Sequence, residues 1–440
     1  MQNSWKILLV LTASISMVFI DVTVLPVTLP TLQRDLGISP HALQWIVNAY
    51  TLILTMFVLI SGRASDHIGL KKMFCIGMSV FAIASFLCGM GTAAWELIVS
   101  RGLQGIGGAC MLPAAQGMIT HTFPPEKRGK ALGFFIGMGA ISLALGPLLG
   151  GYCSEYLSWH YVFWLNLPIA VLGLFFTWLI IPHYPRHHHV FHRLSLLLYC
   201  LSLLCIIGSI MQAPVWGWLS YPTIGIFLLG IILFILLLKN DPSSLIPKSL
   251  LRIPTIRRSL ILAFLGQFLL MIAFFWSIFF QTQLHYSPFI AGNLAFLANA
   301  PIIVMGPIAG YCVDRWGSRV PMIIGLLLIG FAFIGMDIAS KFPSLLIPSL
   351  LCFGTGLPSF FAPNAIELLN ATPKEQRGTA SGLLIATRQF SATMGLAIFG
   401  AIYQPWTSIE RFNLINLIGL ALVGLGLLLK IRSNHEFKRD

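Results

Sequence analysis

Charge is scarce in this chain: Asp, Glu, Lys and Arg make up 9% of its 440 residues, where a soluble domain carries about 25%. So little charge cannot clothe a surface that faces water. The solvent for most of the chain must be lipid, and a hydrophobic content of 57% agrees. Acids are scarcer still, 14 against 27 Lys and Arg. The eight cysteines (75, 88, 110, 153, 200, 205, 312, 352) have no metal-ligand spacing and read as small apolar filling, so neither a metal site nor a disulfide framework is expected. A phosphate-cradling G-x-x-x-x-G-K loop is missing too, which argues against nucleotide hydrolysis as an energy source. No cofactor is expected.

What the chain has instead is apolar runs. A membrane span needs roughly 20 mainly apolar residues. Fourteen stretches qualify, with cores near 6–30, 43–62, 73–91, 95–121, 130–154, 161–181, 194–213, 221–238, 258–284, 289–313, 320–339, 342–369, 380–403 and 412–431. The first is read as a span and not a cleaved leader, because Asp21, Pro26 and Pro30 interrupt it before any small-residue cleavage site.

The net charge of +13 invites a nucleic-acid reading, and its distribution argues against one. With the N-terminus inside, 22 of the 27 Lys and Arg fall on inner segments and three (Arg34, Lys341, Arg411) on outer ones, while Arg101 and Arg388 lie within spans. That asymmetry follows the positive-inside rule and places both termini in the cytoplasm. The basic balance reports orientation in a bacterial cytoplasmic membrane. Nucleic acid is not an expected partner.

Two loops repeat. Gly62-Arg63-Ala64-Ser65-Asp66-His67-Ile68-Gly69-Leu70-Lys71-Lys72 is matched by Gly310-Tyr311-Cys312-Val313-Asp314-Arg315-Trp316-Gly317-Ser318-Arg319, at one offset (310−62 = 314−66 = 317−69 = 248). Arg128-Gly129-Lys130-Ala131-Leu132-Gly133 pairs with Arg377-Gly378-Thr379-Ala380-Ser381-Gly382 at almost the same distance (377−128 = 249). A duplicated helical half in an apolar chain points to a transporter. Residues 1–182 then make one six-helix bundle and 258–440 another, with 183–257 supplying linkers and two extra helices near 194–213 and 221–238.

At these loops the chain resembles the major facilitator superfamily, and more narrowly its fourteen-span drug:proton antiporters of the EmrB/QacA type. The 62–72 loop is similar to the family's G-x-L-a-D-r-x-G-r-k signature, with Ala64, His67 and Leu70 departing from it. The resemblance implies an all-α integral membrane protein with two six-helix bundles, a two-helix central insertion and fourteen spans. It also implies a conformational latch carried by Gly62, Asp66, Gly69, Lys71 and Arg128, and by Gly310, Asp314, Arg315, Gly317 and Arg377. Gly62 permits close helix contact and Gly69 a turn that other residues resist. Arg101-Gly102-Leu103-Gln104-Gly105-Ile106-Gly107-Gly108 is similar to the family's R-x-x-q-G-x-g. Gly146-Pro147-Leu148-Leu149-Gly150-Gly151 is similar to the G-P-x-x-G-G of exporters, which implies outward transport by antiport. Helix packing alone also explains such glycines. Asp21-Val22-Thr23 with Leu29-Pro30 is similar to a D-x-T…L-P segment whose acid is tied to proton coupling or cation recognition, and Arg388-Gln389 to an R-Q ahead of a Gly-rich run.

An ionisable side chain deep in a span is costly and therefore a functional candidate. Asp21 lies 15 residues beyond Lys6 (21−6), and Arg101 six past Trp95 (101−95). At helical rise these are ~22 Å from the inner end and ~9 Å from the outer end of a ~30 Å core. The depths coincide, so an ion pair is expected, with Asp21 exchanging a proton as Arg101 approaches or leaves. A static pair that only positions helices is the competing reading. Glu367, about one turn from the cytoplasmic loop, is expected to reach water.

Candidate cavity residues are Trp45, Asn48, Tyr50, Gln104, Gln267, Phe275, Trp276, Gln281, Asn299, Asn364 and Arg388. An apolar, aromatic lining suits amphipathic compounds. His183, His187, His188, His189 and His192 lack Cys or acidic companions and read as a solvated linker. The expected function is proton-coupled export of small amphipathic compounds or drugs by a monomer in the lipid bilayer. A carrier of a specific metabolite or siderophore, and a polytopic sensor or membrane enzyme, are the alternatives. A periplasmic adaptor stays open as a partner, although the outer loop Gln404 to Phe412 offers it little surface.

Overall fold

The computed structural model describes residues 2–184, 193–239, 248–339, 341–373, 376–404 and 408–436. His187, His188, His189 and His192 of the linker lie outside them, as does the side chain of Asp66. In lipid every backbone polar group must be satisfied within the chain, and helices do so. Eighteen α-helices account for nearly all the described residues.

The first seven are α1 (Gln2–Leu36), α2 (Pro40–Ile68), α3 (Leu70–Met90), α4 (Ala94–Thr122), α5 (Pro125–Tyr156), α6 (His160–Trp164) and α7 (Asn166–Ile180). The inserted pair is α8 (Arg193–Trp216) and α9 (Tyr221–Lys239). There follow α10 (Lys248–Leu251), α11 (Pro254–Phe274), α12 (Trp276–Thr282), α13 (Pro288–Asn299), α14 (Pro301–Trp316), α15 (Arg319–Ile338), α16 (Leu346–Asn370), α17 (Arg377–Tyr403) and α18 (Ile409–Glu436). Helices α6–α7, α11–α12 and α13–α14 each form one interrupted span. The last break falls at Pro301, which has no N–H to continue the ladder.

Among the described residues thirteen helical stretches are long and apolar enough to cross a membrane. Helix α4, with 29 residues, is the fourteenth by length. Glu96, Arg101, Gln104 and its glycines dilute its apolarity. Large aliphatic and aromatic side chains stay exposed along the helices, Ile83, Ile136, Val171 and Trp178 among them. Such residues suit contact with acyl chains.

Local chemistry sets the ends. Ser39 Oγ accepts from the Ala42 N–H at 3.2 Å and Pro40 starts α2, a side-chain cap followed by proline. Gly69 and Gly317 hold the same place in the two repeated loops, and both take positive φ, 100° and 71°. Each donates its N–H back into the preceding helix, Gly69 to Ser65 O at 2.9 Å and Gly317 to Val313 O at 2.8 Å. Only glycine takes that conformation freely.

The chain divides into two compact units, 1–245 with 287–292, and 246–286 with 293–440. In the first, α1 packs on α5 and α7, and α4 lies against α2 and α3. The inserted pair also packs here, with Tyr199 Oη donating to Thr55 O of α2 at 3.1 Å. In the second unit α15 packs on α16, and α11 on α17 and α16.

Helix α5 runs unbroken through Pro147, and its glycines let α1 come close. A Cβ added at Gly150 would lie 2.6 Å from Val24 O, and one at Gly146 would collide with Thr23 Oγ1. The Gly-Pro motif is therefore a helix contact made at the Asp21–Thr23 segment. Gly150→Val should lower the melting temperature and folded yield in detergent, since overpacking typically costs about 1–3 kcal/mol. Gly133→Ala, on the same helix where an added Cβ meets nothing within 4 Å, should melt no lower than the parent. Equal melting of all three proteins would show that the contact is slack.

Candidate functional site

Helix α4 carries the site because its glycines allow two neighbours to close on it. A Cβ at Gly105 would lie 2.6 Å from Tyr50 O of α2, and one at Gly107 would lie 2.7 Å from Phe81 of α3. With α2 and α3 drawn in, Arg101 is sealed from lipid and water. Its side chain and that of Asp21 are each 1% exposed.

The two form an ion pair through Arg101 Nη1 and Asp21 Oδ2. Arg101 Nη1 also donates to Gln104 Oε1 at 2.7 Å, and Arg101 Nε to Ile46 O at 3.3 Å. Gln104 Nε2 donates to Asp21 Oδ1 at 3.2 Å and to Ser85 Oγ at 2.7 Å. Asn166 Nδ2 reaches the same carboxylate oxygen at 3.5 Å. The Arg101 guanidinium lies 4.4 Å over the Tyr50 ring. Five helices, α1, α2, α3, α4 and α7, thus meet at one charge pair.

Not every polar atom here is satisfied. Tyr50 Oη, Asn48 Oδ1 and Asn166 Oδ1 are buried without a hydrogen-bond partner. Such groups ordinarily bond to something, ordered water included. The arrangement is a buried carboxylate with a cation on one side and spare hydrogen-bonding capacity around it.

Tyr50 and Gln104 from the candidate lining belong to this cluster. Asn166, Ser85 and Cys88, whose Sγ lies 3.6 Å from Gln104 Oε1, join it unannounced by any motif. Trp45 donates to His41 Nε2 at 3.2 Å and is partly buried. Phe275 and Trp276 are 2% and 1% exposed and sit in the core of the second unit. Trp276 packs on Phe333 and Phe353 and donates to Asn416 Oδ1 at 3.2 Å, while Phe275 meets Tyr403 edge-on. Asn364, fully buried, donates to Ser259 O at 3.0 Å. Asn299 and Gln281 bond back to their own helices at Ala295 O and Ser277 O. Gln267 and Arg388 are partly buried.

The loop residues also have places. Lys71 Nζ donates to Ile181 O at 2.5 Å and Trp178 O at 3.3 Å, capping the C-terminal end of α7 where a cation is favoured. A Cβ at Gly62 would be 3.7 Å from Pro113 of α4. Arg128 Nε donates to Phe123 O at 3.0 Å. Asp314, Arg315 and Arg377 are exposed, and Gly310 has open space beside it.

Glu367 is 15% exposed, and it also accepts from Ser318 Oγ at 2.9 Å and pairs with Lys430, whose side chain is 2% exposed. A Glu and a Lys, each near the inner end of a span in the same half, were the available signal. Their shared azimuth was not in the sequence.

Breaking the buried pair from either side should cost about 3–5 kcal/mol, because the remaining charge loses its partner. Arg101→Gln and Asp21→Asn should each lower the detergent melting temperature, and the double variant should recover much of the loss. Strictly additive losses would show that the two side chains are not coupled.

The Major Facilitator Superfamily model matches residues 11–193 and 258–440, one match in each half. The chain is 28% identical over 407 residues to the tetracenomycin C resistance and export protein of Streptomyces glaucescens, covering 90% of this chain and 76% of that protein. It is 27% identical over 425 residues to the riboflavin transporter RibZ of Clostridioides difficile, covering 94% and 91%. Its fold is similar to that of a D-xylose-proton symporter, with a TM-score of 0.70 at 17% identity over 97% of this chain and 96% of that one. Two matched halves, a nearly all-helical fold and relatives matched along about nine tenths of this chain that are named as transport proteins make this a multi-pass membrane transporter and not an enzyme: the chain belongs to the major facilitator superfamily.

Proposed function

We propose that the protein exports small amphipathic compounds, antimicrobials among them, across the cytoplasmic membrane in exchange for protons, with both termini inside. The observation that carries this reading is the buried Asp21–Arg101–Gln104 cluster. A carboxylate placed so deep has no structural need that an apolar contact could not meet, since buried ion pairs are weak stabilisers. In this reading Asp21 carries the exchanged proton, giving it up while Arg101 pairs with the carboxylate and taking it up when α4 draws away from α1.

Tyr50 Oη and Asn166 Oδ1, buried beside the pair without partners, supply a donor and an acceptor for the water that would bring the proton. Gln104, on α4 with Arg101, donates to Asp21 in the closed arrangement. The glycine contacts of Gly146 and Gly150 with α1 hold the Asp21 segment in register during that motion. The repeated loops 62–72 and 310–319 act in this reading as the conformational latch. Outward transport is supported by the Gly146-Pro147…Gly150-Gly151 motif and by relatives named for resistance and export.

The relative named as a riboflavin transporter matches the chain over a larger share of its own length than the export protein does, and it favours a second reading, carriage of one metabolite. Purified protein in liposomes with an imposed pH gradient separates the possibilities. Added amphipathic drugs should move against the proton gradient, and Asp21→Asn should abolish gradient-driven flux while the protein stays folded and inserted. Undiminished proton-driven flux in Asp21→Asn would remove Asp21 from the cycle, and transport confined to riboflavin-like compounds would decide for the metabolite carrier.

A further inference from the structure

Two arginines lie at mid-membrane depth, and the chain treats them differently. Arg101 has a carboxylate, an amide oxygen and a backbone carbonyl. Arg388 lies 11 residues into α17 (388−377), ~16 Å along the helix at 1.5 Å per residue. Its Nη2 makes a long hydrogen bond, 3.4 Å, to Phe361 O, and its guanidinium stacks over the Phe361 ring at 4.4 Å. Its Nε is buried without any partner. Among the described residues no carboxylate lies within ion-pair distance of it.

Nor does the chain hold a spare acid for the purpose. Of its 14 Asp and Glu, Asp21 is the one at comparable depth, and Arg101 holds it. Glu367, three residues from the end of α16 (370−367), is engaged by Lys430 and Ser318. A guanidinium in apolar surroundings with no counter-charge is expensive to keep. One weak carbonyl contact does not offset that cost, so the positive charge is kept for something that arrives.

We propose that Arg388 binds an anionic group of the transported compound, a carboxylate on a planar aromatic or polycyclic scaffold. This rests on the export reading and narrows its substrate class. The guanidinium fork matches a carboxylate in two-point contact, and its flat face tolerates stacked aromatic rings. The surroundings suit the rest of such a molecule. Phe361 already stacks on the guanidinium, and Phe264 lies 5.7 Å from Phe268 and 6.1 Å from Phe390. Ser391 Oγ, three residues along α17 from Arg388, donates to Phe264 O at 2.6 Å and ties α17 to α11. Neutralising a bound anion here needs no second ion from the protein, while Asp21 remains free to handle the proton.

The test uses the full-length protein in liposomes and a panel of aromatic amphiphiles in matched carboxylate, methyl-ester and quaternary-ammonium forms, 1-pyrenebutyrate and its two derivatives among them. The wild type should show an apparent affinity for carboxylates roughly tenfold or more above that for the esters, as expected for hydrogen bonds to a charged group. Arg388→Gln should erase the difference, and Arg388→Lys, lacking the planar fork, should lose most of it. In detergent without ligand, Arg388→Gln should melt at or above the wild type, because an unpaired buried charge has been removed, and 1-pyrenebutyrate should raise the melting temperature of the wild type alone. A variant that melts well below the wild type would make Arg388 a structural residue and overturn the inference. Transport of ammonium or ester forms in preference to carboxylates would overturn it while leaving export intact. Movement of no member of the panel would refute export and this inference together. If Arg388→Gln fails to insert, the wild-type carboxylate-to-ester ratio alone decides.

Discussion

A charge buried in a chain made for lipid is costly unless it is paired, and the first unit pairs Asp21 with Arg101. The pair is enclosed by five helices, and the approaches of α2 and α3 to α4 and of α1 to α5 depend on glycine. Gly105 admits α2, Gly107 admits α3, and Gly146 and Gly150 admit α1 to α5 at Thr23 and Val24. The motifs that flank the charges are thus the packing that makes their burial possible. A buried pair of this kind contributes little net stability. Its retention fits the proposed cycle in which the pair opens.

The two halves share a scaffold and differ in charge chemistry. Gly69 and Gly317 end matching helices with the same left-handed turn and the same backward hydrogen bond. Beyond that turn the copies diverge. In the first, Lys71 caps α7; in the second, Ser318 bonds to Glu367, which pairs with Lys430. At mid-membrane depth the first unit holds a compensated pair and the second an arginine stacked on Phe361, with no acid in ion-pair reach among the described residues. In the proposed reading the duplicated frame carries a proton site in one half and an anion site in the other.

Depth along a helix is legible in sequence because helical rise is fixed, and counting from Lys6 and Trp95 is enough to set Asp21 level with Arg101. The helix ends at Gly69 and its repeat Gly317 are legible as well, since glycine alone turns freely through positive φ. Azimuth is not. Phe275 and Trp276 look like cavity aromatics by depth, yet they pack against Tyr403, Phe333 and Phe353 in the core. Asn166 joins Asp21 because α7 begins there after the interruption at Leu165, which no motif marks. Glu367 and Lys430, 63 residues apart, meet only once α16 and α18 are packed.

The central claim is that the Asp21 carboxylate changes protonation when the pair opens. Infrared difference spectroscopy on the membrane-embedded protein reads that event directly, because a protonated carboxylic acid has a carbonyl stretch that a carboxylate lacks. Addition of a transported compound should change the carboxylic-acid band, and the change should vanish in Asp21→Asn. A spectrum in which no carboxyl group changes protonation on substrate addition, or one whose band survives in Asp21→Asn, would contradict the account.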